Sequence, residues 1–356
     1  MIYVFSRDMK IRRMLLTVQS LSWKEQYNGI GTFSLVAQDT EENAAMLQRE
    51  NIVHFENYDG IIKDVAISGN TITANGYGLA QLLNQRTAYN DVVITSAESG
   101  AYSLVSSNLR NLDILLAEPK GFEETCNVTV ENGGKIGEWV EEICSQAGLG
   151  FRVKLDERTF SKTFEIYKGN DLTSPDDPLS VAFSTARNNL AGLEIEDDGS
   201  EFANVAVVRG VNLQDALVLV IVGTAEGAER HEIFVDATSD PQKDEETEFN
   251  DEGEEITTRP AETDEEYRAR LTAKGQEELQ AHLACTNFVL TVQPEEYGKR
   301  YKLGDLVTCY SEKHGLYFIA RISEVKYVKD TKKDTLELTL GEPKISLKRM
   351  VKLWQK

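Results

Sequence analysis

Histidines, cysteines and partnered carboxylates are where chemistry would have to begin. The four histidines, His54, His231, His282 and His314, stand far apart. None has the HExxH spacing that puts two imidazoles on one helix face around zinc. The four cysteines, Cys126, Cys144, Cys285 and Cys309, form no CxxC pair. A disulfide framework or zinc site is therefore not expected, and the thiols read as small buried hydrophobes. His231, between Arg230 and Glu232, has the setting of a solvated strand end rather than of a general base. No GxSxG elbow and no phosphate-cradling GxxxxGK[ST] loop occur. GNTITANGYG (69–78) holds three glycines, but it reads as a hairpin followed by a helix and lacks the spacing of a dinucleotide turn. Trp23 and Trp139 read as core rather than as a sugar-stacking platform. No nucleophile has a partnered base. The sequence thus names no catalytic, cofactor-binding or metal residue, and a non-catalytic role is expected.

Charge narrows the partners. Acidic residues outnumber basic ones by 59 to 38, a net charge of −21. Such a chain does not gather phosphate backbone by releasing counterions, and an anionic membrane surface repels it. No apolar run approaches the ~20 residues that cross a bilayer. The opening MIYVFSRDMKIRRMLL lacks the unbroken apolar region of a signal peptide. The expectation is a protein made in a reducing cytoplasm and not exported, with no membrane anchor. At 356 residues and 41% hydrophobic, the chain suits two or three domains.

The elements that would carry any site are mostly strands. Trp23 to Tyr27, the Asn28-Gly29 turn and the alternation through Phe33, Leu35 and Ala37 predict a hairpin. Ile61–Ser68 and Thr71–Ala74 flank a tight turn at Gly69-Asn70. GYGLAQLLNQR (76–86) predicts a short helix, and the leucines from Leu109 to Leu116 predict another. Lys135 to Gln146 carries an apolar stripe, with Gly148 placed to cap it. Residues 151–167 predict two strands, as do 202–211 and 216–222. The apolar run ALVLVIV (216–222) predicts a strand covered on both faces. Between Asp240 and Glu266 thirteen acidic residues face only Lys243 and Arg259, which predicts a solvated, partly disordered loop with no EF-hand spacing. Thr263 and Glu266 form a capping-box pattern ahead of a long helix striped by Tyr267, Leu271, Leu279 and Leu283. Four antiparallel strands then follow, with turns at His314-Gly315 and near Asp330 to Asp334, enough for a small barrel or sandwich. A basic stretch, Lys344 to Lys356, closes the chain.

Several segments in order resemble the tail hub proteins of bacteriophages and prophages, the tail-associated (baseplate hub) family of long-tailed phages. They are SLSWKEQYNGIGTFSL, NTITANGYGLAQLLNQR, FSTARNNLAGLEIEDDGSEFANVAVVRG, RHEIFVDAT, YKLGDLVTCYSEKHGLYFIARISEVKY and LELTLGEP. The acidic 240–266 stretch departs from that pattern. The chain also stops soon after LGEP, where many relatives continue into fibre, lysin or endopeptidase modules, so no activity of such modules carries over. The resemblance implies a β-rich α+β chain with two similar antiparallel β-barrel tube domains and an inserted α/β lobe. Residues 1–95 with a return segment at 190–235 would form the first barrel, 96–189 the lobe, and 236–356 the second barrel. That second barrel would include the acidic loop 240–266 and the helix 264–283. It further implies a structural part of the virion tail tip, assembled in the bacterial cytoplasm. In it a homotrimeric ring with pseudo-six-fold symmetry would join the tail tube, or a distal tail protein, to a tip or fibre protein. DNA would pass through its channel without specific binding. A carboxylate-lined lumen repels phosphates, so part of the negative excess is expected either to face that channel or to form a soluble surface. The competing expectations are a tail-tip cell-wall hydrolase and a receptor- or carbohydrate-binding β module.

Overall fold

The computed structural model describes residues 1–184, 187, 189–198, 202–249, 255–282, 285–311, 316–330 and 334–345. The chain is β-rich, 45% strand and 20% helix, and divides into two compact units. Unit 1 is Met1–Ile195 with Asn287–Lys356, and unit 2 is Glu196–Thr286.

In unit 1 the first seven strands are β1 (Ile2–Phe5), β2 (Arg12–Met14), β3 (Val18–Gln26), β4 (Thr32–Gln38), β5 (Ile52–Phe55), β6 (Tyr58–Ser68) and β7 (Thr71–Gly78), with helix α1 (Glu41–Met46) between β4 and β5. They pair in the order β3-β4-β7-β6-β5-β1-β2. Both expected hairpins are present, β3–β4 and β6–β7. Aromatic packing fixes the sheet. Trp23 stacks on Phe33 at 4.6 Å; a Cβ on Gly60 would come within 2.8 Å of both rings, and one on Gly76 within 2.6 Å of the Phe33 ring. Only glycine leaves room for rings pressed this closely on a neighbouring strand.

A lobe follows β7. The short helix expected in 76–86 is present as a 3₁₀ helix over Leu79–Gln85, with Leu79, Leu82 and Leu83 buried. Next come β8 (Val92–Ser96), α2 (Ala97–Asn108), β9 (Leu115–Leu116), β10 (Thr125–Val130), α3 (Ile136–Ala147), β11 (Gly150–Leu155) and β12 (Lys162–Tyr167). The helix expected over 109–116 lies earlier, at α2. Arg110 and Asn111 take left-handed φ of 43° and 64°, which ends the helix. Beyond them Leu112 and Leu116 pack against the lobe's core from irregular chain and a two-residue strand, while Leu115 is exposed. α3 and its left-handed Gly148 cap (φ 64°) stand as expected.

The second half of the main sheet contains β13 (Ala182–Ser184) and β14 (Leu190–Asp198). Unit 2 intervenes with β15 (Val205–Val211), β16 (Leu217–Val222), β17 (Glu232–Asp236), β18 (Glu246–Phe249), β19 (Glu255–Arg259) and α4 (Asp264–Ala281). β20 (Cys285–Val292), β21 (Leu306–Ser311), β22 (Leu316–Asp330) and β23 (Thr335–Ile345) then complete the half. The order β14-β20-β23-β22 continues through β22 into β3, so thirteen strands form one sheet, with β21 pairing β22 and β13 on a side branch. β3 and β22 are antiparallel, with Trp23 opposite Tyr327. The expected four-strand run is present, but among the described residues no sheet closes into a barrel. The expected return segment, 190–235, spans β14 to β17. β14 pairs β20 at the far end of the thirteen-stranded sheet that also holds β1–β7, while β15–β17 pair among themselves in a sheet of their own.

In unit 2, α4 lies on the sheet β16-β15-β17. Tyr267 and Leu271 are buried, and a Cβ on Gly275 would meet Val208 and Val222 at 2.7–2.8 Å, so the helix sits close. The acidic stretch holds the hairpin β18–β19 where a loop was expected. Its residues 250–254, together with Leu283, His314 and the 346–356 segment, lie outside the described residues. The capping box is complete: Glu266 N donates to Thr263 Oγ1 at 3.2 Å, and Thr263 N donates to Glu266 Oε2 at 2.9 Å. Thr263→Ala is expected to destabilise unit 2 by about 1 kcal/mol, read as a shifted urea midpoint of the helical circular-dichroism signal. An unchanged midpoint would mean the cap is dispensable.

Candidate functional site

A cleft of about 610 Å³ opens in unit 1 where the β3–β4 and β5–β6 hairpins, the β11–β12 hairpin and the 297–303 loop converge. Strand alternation sends Leu21 and Trp23 inward on β3, and Glu25 follows in the same phase. Its carboxylate lines the cleft and receives one long hydrogen bond, from the Tyr297 hydroxyl at 3.4 Å. Burial pushes Glu25 up to about 7, against the pull of the Arg152 charge and the Tyr297 bond. Arg152 and Lys154 are committed elsewhere: both contact Glu165 Oε1, at 2.5 and 2.8 Å, and Arg152 lies 4.2 Å over the Tyr167 ring. Burial opposes ionisation of Glu165, but these two cations hold it below the usual carboxylate range.

A second chain of charges runs beside the first. His54 Nδ1 is 2.7 Å from Asp59 Oδ1, and its Nε2 is 2.9 Å from Glu157 Oε1. Both ring nitrogens face carboxylate oxygens, so both must donate, which is the imidazolium form. Burial works against that charge, but the Asp59 bond and the Asp59 and Glu157 charges outweigh it and raise the His54 pKa. Asp59 Oδ2 accepts the Leu155 N–H at 2.9 Å, and Arg12 contacts Glu157 at 2.6 Å. The series Arg12–Glu157–His54–Asp59–Leu155 stitches three hairpins together. Four cations (Arg12, His54, Arg152, Lys154) meet four anions (Glu25, Asp59, Glu157, Glu165) when Glu25 is ionised. Among the described residues no Ser, Thr or Cys lines this cleft. Chemically it is a charge-balanced joint holding one acid poised near neutrality.

The residues singled out by type are dispersed. His231 lies beside Phe202, its backbone N–H donating to Asn204, and His282 Nδ1 is 2.9 Å from the Glu278 carbonyl. Cys126, Cys144 and Cys309 are free, and burial pushes all three thiols up. Trp23 is core. Among the described residues no group of three or more His, Cys, Asp or Glu is placed to hold a metal ion, and no helix is long and apolar enough to cross a membrane. Glu25 and His54 were missed as a site. Their one sequence signal was a titratable residue on an inward strand position.

Residues 1–342 match the family model described as Siphovirus ReqiPepy6 Gp37-like protein. The chain belongs to this family. No curated protein matches it. Solved structures share the fold of this Gp37-like chain over nearly its whole length. The tail protein from Neisseria meningitidis MC58 aligns with a TM-score of 0.58 at 12% identity, over 96% of each chain. The 43 kDa tail protein of prophage MuSo2 from Shewanella oneidensis gives 0.58 at 13%, over 95% of this chain and 97% of that one. Prophage tail protein gp18 from Listeria monocytogenes EGD-e gives 0.51 at 13%, over 100% and 99%.

Proposed function

We propose that the chain is a structural component of a phage or prophage tail, a hub at the tail tip built from three copies. The observation that carries this reading is the thirteen-stranded sheet. It consists of two halves, β1–β7 and β13–β14 with β20–β23, joined edge to edge through β3 and β22. These halves take the place of the two tube domains expected from sequence. Three copies would present six halves, a match for a six-fold tube above and a three-fold tip below. The sheet is open within one chain, so closure would come from neighbouring copies, which also removes free strand edges. Family membership and the fold shared with three tail proteins, two of them from prophages, support the reading. The partners would be a tube or distal tail protein on one side and a tip or fibre protein on the other, with DNA passing through unbound.

The charge divides unevenly. Unit 2 holds 24 acidic and 7 basic residues, a net −17, which leaves −4 for unit 1 and its sheet. A lumen built from the sheet would thus be near neutral, and this favours the soluble-surface account of the excess over a carboxylate-lined channel.

Light scattering after size exclusion tests the ring: the expected mass is about 119 kDa, three times 39.8 kDa. A chain that stays at 39.8 kDa at high concentration and beside its tail neighbours overturns it. The hydrolase reading would have to use Glu25 as its acid, and clearing of a peptidoglycan zymogram would favour it.

A further inference from the structure

LVLVIV (217–222) has the composition of a strand covered on both sides. Among the described residues of unit 2 one side is covered, by α4 against Ala206, Val208, Val222 and Val235. On the other side Leu217, Leu219 and Ile221 are 66, 56 and 60% exposed, and Phe234 is 58% exposed. Strand register gathers them into one block. Val207 lies between Ile221 and Phe234, Arg209 between Leu219 and Asp236, and Val211 opposite Leu217. Single exposed apolar side chains are ordinary, but a contiguous apolar face marks a contact surface. Arg209 stands at its centre, its guanidinium 5.0 Å over the Phe234 ring and its Nη2 bonded to Asp236 at 2.5 Å. Its Nε is buried without a hydrogen-bond partner. A buried donor left unmet costs stability.

Charge selects what covers the face. A second copy would set one −17 unit against another, and like charges brought together at an interface cost several kcal/mol. A basic partner is attracted instead. We infer that the outer face of β16-β15-β17 docks a different polypeptide, apolar at its centre and rich in lysine or arginine at its border. This goes beyond the hub reading and does not depend on ring formation.

The peptide KISLKRMVKLWQK, copied from residues 344–356, has the required chemistry, with five basic and six apolar residues. Fluorescein-labelled, it serves as the probe against the full-length chain, with anisotropy as the readout. Binding is expected, and it should weaken about tenfold or more between roughly 50 and 300 mM NaCl as charge attraction is screened. Leu219→Glu with Ile221→Glu should weaken it about tenfold or more as well, because the anchors are lost at the centre of the contact. This pair makes the face more acidic, so attraction by charge alone would rise, and a loss must come from the apolar contact. Both positions are exposed, and an unchanged circular-dichroism spectrum confirms folding of the variant. Absence of binding, binding indifferent to the two substitutions, or binding indifferent to salt overturns the inference. So does a change in the chain's own oligomeric mass in the double variant, which would make a second copy the occupant. The mass of the unsubstituted chain tests the ring separately, so the two readings fail by different signs.

Discussion

Trp23→Ala is expected to lower the stability of unit 1 by about 3–5 kcal/mol, the cost of emptying a large buried aromatic site that its surroundings cannot refill. The surroundings here are rigid rings. Trp23 is 1% exposed and lies between Phe33, stacked at 4.6 Å, and Tyr58 at 5.7 Å. Tyr58 continues to Phe55 at 6.0 Å and to Tyr327 at 6.1 Å, and Phe55 meets Tyr327 at 5.4 Å. Because Tyr327 sits on β22, this aromatic set seals the seam between the two sheet halves as well as the core of the first. The glycine floor at Gly60 and Gly76 offers no side chain to move into the void. Trp23→Phe should cost less, since one ring still covers the floor. Urea unfolding followed by circular dichroism measures both variants. A Trp23→Ala loss under about 1 kcal/mol would show that the rings are not packed as described and that the seam does not rely on them.

What the sequence could show about this fold was its local part. Turn dipeptides and period-two alternation placed β3–β4 and β6–β7, Thr263 with Glu266 placed the start of α4, and Gly148 placed the end of α3. These signals act over a few residues, and nothing distant overrode them. Pairing at long range was not legible. Nothing around Trp23 or Tyr327 says that they face each other across some three hundred residues, and so the open two-part sheet was expected as two closed barrels. The leucines 109–116 misled for a related reason: Leu109, Leu112 and Leu116 pack against the lobe core from the helix end and the irregular chain beyond it, while the helix itself buries Ala97, Ala101, Tyr102, Leu104 and Val105. In 216–222 composition reported accurately how much apolar surface needs cover. It could not report that one cover, α4, is present within the unit and the other is not. The cleft was the least legible feature. Glu25 differs from any surface glutamate only in sharing the phase of Leu21 and Trp23, and a single polar residue in an inward phase ordinarily marks a strand end.

That phase has a measurable consequence. Glu25→Gln is expected to leave stability unchanged near pH 4 and to raise it by about 2–3 kcal/mol at pH 8. Burial pushes the Glu25 carboxyl from its ordinary 4.5 up to about 7. Below pH 4.5 the folded and unfolded chains both hold the proton, so the group contributes no difference. Between 4.5 and 7 the unfolded chain releases its proton while the folded chain keeps it, and unfolding becomes progressively easier. Above 7 the penalty is complete, and at about 1.4 kcal/mol per pH unit it is bounded near 3 kcal/mol. Glutamine keeps the shape and hydrogen-bonding ability of the neutral acid and cannot ionise, so it removes the penalty. Arg152 retains Glu165 as its partner in the variant. His54 adds a slope of its own: its raised pKa gives stability that is full below its ordinary 6.5 and lost as pH rises through the folded value. That slope is common to both proteins and cancels in their difference. Urea midpoints of both, taken at pH 4, 5, 6, 7 and 8, should diverge through the middle of this range and run parallel above it. If the variant is equal or less stable at pH 8, Glu25 is held ionised by Arg152 in the folded cleft, and the joint is an ordinary salt-bridge network rather than one strained by a buried acid.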